Sequence, residues 1–229
     1  MRTKDWTRFL SRGYDGSYES GRTHTLGGNM SEIDFLERLR TTAWKTAGAR
    51  YNASRRLQRR SRFSLITISL LSGVGVVAPF LIDASSAAAK FSAFLAMLVL
   101  VIGIVEGASD FGLRAATLFT NAEDINAFQS RLGAPSSGVN TEDVCARLDA
   151  EYQAIKRRSQ FNHEPIDLER FILQHNSAPE FARAGGGKAY GTLQACWIFL
   201  AYSLHSVWWL ALFWMIALGG FAFLLFPFC

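Results

Sequence analysis

Few side chains in this sequence have the types and spacing that catalysis or metal binding needs. His163, Glu164 and His175 lie close together, but the histidines lack the i, i+4 spacing of a helical zinc pair and no third ligand supports them. Cys145, Cys196 and Cys229 are far apart with no CxxC pattern, so they read as small apolar residues. A terminal Cys229 is not a prenylation signal, which needs three residues after the cysteine. With no Ser-His-Asp set and no Gly-rich phosphate loop, the sequence offers no catalytic residue, no metal site and no cofactor, and the chain does not read as an enzyme. The residues that suggest function sit in apolar surroundings instead. Ser64, Thr67, Ser69 and Ser72 put hydroxyls into an apolar run, where they either permit close helix packing or line a water-filled pore. Glu106 and Asp110 are one helical turn apart at the end of a second run. In an oligomer they would form rings of negative charge that favour cations; otherwise they mark the membrane interface and pair with nearby arginines. His205, in a third apolar stretch, is either a protonation switch or a hydrogen-bonded interface residue.

Those residues are positioned by two runs without charge, 63–82 and 91–105, the second extended by small residues into a span of about 91–108, and a short loop at 83–90 separates them. Neither offers the polar face that a water-soluble helix requires, and each approaches the ~20 residues that cross a bilayer's hydrocarbon core. They predict a transmembrane hairpin. Residues 31–62, immediately before the first run, carry nine Lys/Arg against three Asp/Glu. Arg55, Arg56, Arg59, Arg60 and Arg62 read as basic residues at the membrane surface, holding that end in the cytoplasm. The same local excess explains most of the net charge of +5, so nucleic-acid binding is not expected.

The remaining segments follow from periodicity and breaks. Residues 1–30 have no periodic apolar face and read as a flexible cytoplasmic tail. Ser31 caps a helix over about 31–62, whose apolar face is Ile33, Leu36, Leu39, Ala43, Ala47 and Tyr51. The second span is expected to run on without interruption over 109–132. There Phe111, Ala115, Leu118, Ala122, Ile125, Gln129 and Leu132 alternate by four and three, a seam for a cytoplasmic bundle or an oligomer. Asn140 caps a helix over 140–160 with the face Val144, Leu148, Tyr152 and Ile155, and a brief helix follows at 166–174. A linker containing Gly185, Gly186 and Gly187 spans 175–192. No charged residue occurs in the last 41 positions, and 193–229 is read as a C-terminal membrane segment with one span over about 206–226. Two short crossings would require a bend, for which Gly219 and Gly220 are the available site. The expected fold is therefore an all-α membrane protein: a transmembrane helical hairpin extended into a cytoplasmic helical bundle, plus a C-terminal transmembrane helix. Its N-terminus is expected in the cytoplasm and its C-terminus outside.

Three blocks carry a family resemblance: residues 49–65 (ARYNASRRLQRRSRFSL), residues 110–126 (DFGLRAATLFTNAEDIN) and residues 162–167 (NHEPID). In this order around a hairpin they resemble the SLATT family of two-transmembrane effector domains in bacterial defence systems, over about residues 31–174. The resemblance implies an oligomeric inner-membrane effector that forms a pore or disrupts the membrane in anti-phage defence, by abortive infection. It also implies an operon partner: a nucleotide second-messenger synthase, a SLOG-type sensor or a reverse transcriptase. It supplies no catalytic residues. A membrane anchor that recruits a soluble enzyme through its cytoplasmic helices is the alternative.

Overall fold

The computed structural model of the protein describes residues 32–81, 86–132, 141–181 and 187–225; Ser31, Asn140, Gly185 and Cys229 fall outside them. The elements are α1 (Glu32–Leu81), α2 (Ser86–Ser109), α3 (Phe111–Arg131), α4 (Thr141–Arg157), α5 (Pro165–Gln174), a 3-10 turn (Pro179–Phe181) and α6 (Thr192–Leu225). No strand occurs among the described residues. Two helical stretches, Asp34–Phe80 and Ala89–Arg131, contain windows long and apolar enough to cross a membrane. The apolar part of α6 makes a third if its two bent halves count as one span. This is an all-α membrane protein.

The chain forms two compact units, one of Met1–Asn52 with Thr120–Gly191 and one of Ala53–Phe119 with Thr192–Cys229. The first unit is a small helical bundle. Leu39, Ala43 and Ala47 on α1 meet Ile125 and Phe128 on α3 and Tyr152 and Ile155 on α4 in one buried cluster. These are the small and large residues that the four-three spacing sets on facing stripes. Phe128 and Tyr152 stack with ring centroids 5.8 Å apart, and the Tyr152 hydroxyl lies 2.8 Å from Thr46 Oγ1. The end of α4 is held from two sides: Asn121 Nδ2 donates to Ile155 O at 2.8 Å, and Arg50 Nη2 donates to Lys156 O at 3.3 Å. Helix α5 opens with Pro165, whose missing N–H is harmless at a first helical position, while Asp167 Oδ2 accepts the Glu164 N–H at 2.9 Å. The NHEPID block is thus a helix start. Asn52 Nδ2 fastens α5 to α1 by donating to Asp167 O and Gln174 Oε1.

The second unit packs the span portions of α1, α2 and α6. Its core is Leu71 and Ala78 from α1, Phe91, Leu95, Leu98 and Ile102 from α2, and Leu210 and Ala217 from α6.

Three features differ from the sequence expectation. Helix α2 begins at Ser86 instead of near residue 91, because the alanines at 87–89 are strong helix formers. The helix expected to continue through residue 109 is interrupted at Asp110, which adopts a positive φ of 48°. Aspartate tolerates that left-handed conformation better than most residues, and its carbonyl accepts the Arg114 N–H at 2.9 Å as α3 restarts. In the C-terminal segment the helix already starts at Thr192, and it turns by 59° between Thr192–Trp208 and Leu210–Gly220, not at Gly219 and Gly220. Ser203 Oγ and Ser206 Oγ bond back to the carbonyls of Phe199 and Tyr202 just before the turn, an arrangement that bends helices.

Gly48 on α1 lies against the Phe171 ring of α5, and a Cβ built on it would overlap that ring. Phe171 is itself held edge-on to Trp44 at 5.1 Å, so it has little room to yield. Helix propensity alone would make Gly48→Ala stabilising by ~1 kcal/mol. The overlap is instead expected to make it destabilising by roughly 1–3 kcal/mol, measured by thermal unfolding in detergent.

Candidate functional site

The candidate site lies within the three-helix membrane unit, and its polarity is inside-out. Ser64 (0 % exposed) and Thr67 (4 % exposed) face the interior, as does Ser206 of α6. Leu65, Ile66, Leu70, Val74 and Val77 of α1, with Met97, Leu100 and Ile104 of α2, face outward. Water would favour the reverse; lipid around the unit explains it. Ser64 Oγ donates to Arg60 O at 2.9 Å, and Trp214 Nε1 donates to Thr67 Oγ1 at 3.4 Å. Beside them, between α1 and α6, lies a cavity of about 460 Å³ lined by Arg59, Phe63, Thr67, Ser203, Ser206, Leu210 and Trp214 among others. Its wall is mostly apolar, with an arginine and three hydroxyls as polar points.

The hydroxyl stripe read from sequence is therefore split between two faces. Ser64 and Thr67 are inside, whereas Ser69 and Ser72 are exposed, Ser69 Oγ being satisfied by Leu65 O at 2.9 Å. Gly73, one turn beyond Ser69, has open space around it, so this side of α1 does not pack the hairpin. The close approaches are elsewhere: Gly75 beside Leu95, and Gly220 of α6 beside Phe94 of α2. Glu106 is half-buried with Oε2 lacking a hydrogen-bond partner, and Asp110 is exposed on the residue between α2 and α3.

The basic block is also divided. Arg55, Arg59 and Arg62 are exposed, but Arg56 is buried and Arg60 half-buried, with the Arg60 guanidinium 4.1 Å from the centroid of the Phe111 ring. Reading all five as surface residues overlooked the stripe on which they lie: positions 56, 60, 64, 67 and 71 share one face of α1, and that face is turned inward. On α3, Phe111, Ala115, Leu118, Ala122 and Ile125 are buried within the chain, Gln129 and Leu132 are half-buried, and Phe128 joins the buried set. Ser54 Oγ donates to Ala115 O at 2.7 Å, fixing α1 to α3 at the start of that seam.

The histidines are not brought together as a metal site. His175 Nδ1 contacts Phe171 O at 3.0 Å and its ring meets Trp44, while His163 lies near Arg50 and Lys156. No cluster of three metal-ligating side chains occurs among the described residues. Sequence reasoning missed Arg50, Asn52, Asn121, Ser206 and Trp214. The signal for Ser206 was available, since Ser203 and Ser206 stand three apart in a helix without Asp, Glu, Lys or Arg.

The sequence profile of the SMODS and SLOG-associating 2TM effector domain family 5 matches residues 32–226. The chain belongs to this SLATT family. The match runs beyond residue 174 and takes in α6, so the C-terminal apolar helix of this SLATT protein lies within the family's own pattern. No curated protein and no solved structure matches the chain.

The Trp214 and Thr67 contact bridges two helices in the membrane unit, where such bonds contribute about 0.5–1.5 kcal/mol. Thr67→Val is expected to lower the unfolding midpoint in the wild-type background and to have a smaller effect once Trp214→Phe has removed the donor. A double-mutant cycle in detergent measures the difference.

Proposed function

We propose that this SLATT protein is an oligomeric effector of the bacterial inner membrane that forms a pore or breaks the permeability barrier during anti-phage defence. The carrying observation is the inward-facing hydroxyl set of Ser64, Thr67 and Ser206 in a member of a membrane-effector family. A helix with an apolar outside and a polar inside is suited to line water once neighbouring copies separate its partners. The open surfaces at Gly73, Gly103 and Gly107, with Ser69 and Ser72 exposed nearby, support contact with a second copy, since small residues let helix backbones approach closely. Glu106 and Asp110 would then add negative charge at one mouth and favour cations. The excess of lysine and arginine in residues 31–62 supports a cytoplasmic N-terminus, and an odd number of crossings puts the C-terminus outside. The family's description names SMODS and SLOG association, which supports a nucleotide second-messenger synthase or a SLOG-type sensor as the operon partner; a reverse transcriptase is a further partner class implied by the resemblance.

Ion flux from sealed liposomes tests this reading. Leak is expected to rise more than proportionally as the protein-to-lipid ratio drives oligomerisation, and to fall roughly tenfold in the Ser64→Ala, Thr67→Val double variant. Vesicles that stay sealed at every oligomeric state would contradict it and favour a membrane anchor for a soluble enzyme.

A further inference from the structure

Arg50 of α1 is a buried cation with no carboxylate partner among the described residues of the helical bundle. Its residue is 3 % exposed, and of its three guanidinium nitrogens only Nη2 has a partner, the Lys156 carbonyl at 3.3 Å; Nε and Nη1 have none. Two further basic groups stand with it. Lys156, at the end of α4, places its ammonium 5.5 Å from the centroid of the Tyr152 ring, whose hydroxyl lies 2.8 Å from Thr46 Oγ1. His163, on the connection between α4 and α5, has a buried Nδ1 with no partner. Among the described residues no carboxylate pairs with Arg50 or Lys156; Arg131 pairs with Glu151 and Arg158 with Asp124.

A buried guanidinium with unused donors is costly unless an acceptor completes it, more so than an uncharged donor. The α4 carbonyl terminus offsets only part, since a helix end carries about half a charge. Burial first, and then the Arg50 and Lys156 charges, lower the pKa of His163 to about 4. The imidazole is therefore neutral near neutral pH and can donate through Nδ1, beside two full positive charges. One carboxylate would leave one of those charges unmatched; a phosphate dianion matches both and has oxygens enough for guanidinium, ammonium and imidazole. The irregular connection at 158–164 carries His163, with Asn162 and Glu164 exposed on either side of it. We propose that Arg50, Lys156 and His163 form a binding site for a phosphate group, carried by a soluble phosphate compound or by a lipid headgroup. The inference does not depend on pore formation.

The test is calorimetric titration of the full-length protein, in a zwitterionic detergent near neutral pH, with inorganic phosphate. Saturable one-site binding is expected, weakened roughly tenfold or more by Lys156→Gln and by Arg50→Gln, and unchanged in Arg158→Gln, whose side chain pairs elsewhere. Because Arg50→Gln also removes a bond to the end of α4, the half-buried Lys156→Gln is the decisive variant. Phosphate should raise the unfolding midpoint of the wild type and not that of Lys156→Gln. Repeating the titration in nanodiscs of phosphatidylcholine with and without phosphatidylglycerol identifies the source. Loss of phosphate binding in the anionic discs assigns the site to a headgroup, and persistence assigns it to a soluble phosphate; either upholds the site. No saturable heat, or an equal midpoint shift in wild type and Lys156→Gln, overturns it.

Discussion

Helix α1 offers the rest of its own chain a buried surface, and that surface changes chemistry along its length. Leu39, Ala43 and Ala47 make it apolar at the start, Arg50, Asn52, Ser54 and Arg56 make it polar, Ser64 and Thr67 keep it hydroxylic, and Leu71 and Ala78 return it to apolar. All are buried. Apolar positions accept any well-shaped neighbour, but buried polar ones leave about 1–3 kcal/mol of desolvation unmet unless a particular partner stands opposite. Asn52 requires Asp167 O and Gln174 Oε1, Ser54 requires Ala115 O, Arg50 takes Lys156 O, and Thr67 receives Trp214. The middle of α1 thus selects its neighbours, while its ends supply bulk attraction.

That division of labour bears directly on function. In lipid there is little hydrophobic drive between helices, so small and polar residues decide which faces meet. The hydroxyls of Ser64, Thr67 and Ser206 are buried in the single chain, and the lipid-facing side is apolar apart from small residues such as Ser69 and Gly73. A membrane effector needs a state that is harmless to its host. A chain that keeps its polar face inside and its apolar face outside has such a state; under the proposed function, exchanging helix partners between copies would expose the polar face.

Much of this was legible from sequence because burial follows period. The charge-free runs, the face at Leu39, Ala43 and Ala47, the α3 alternation from Phe111 to Ile125, and the α4 face at Tyr152 and Ile155 all follow from spacing. What escaped depends on the partner rather than on the period. Arg56 and Arg60 looked like surface cations because arginine is rarely buried, yet they occupy the inward stripe. Helix propensity alone would favour alanine at Gly48, but the Phe171 ring, more than a hundred residues away in sequence, needs the space. The positive φ of Asp110 and the turn at residue 209 arise from local backbone choices that an apolar run does not encode. The bonds from Asn52 and Asn121 to carbonyls at helix ends are long-range and have no sequence signature.

The claim on which the account rests is that α1 keeps Ser64, Thr67 and Leu71 inside the chain and turns Leu65, Ile66 and Leu70 to lipid. Spin labels placed singly along residues 63–80 in nanodiscs, read by collision with oxygen and with a water-soluble nickel complex, measure this directly. The account predicts oxygen accessibility oscillating with the ~3.6-residue helical period, with minima at 64, 67 and 71 and maxima at 66, 70 and 77. Uniform oxygen accessibility, or maxima at 64 and 67, would contradict it.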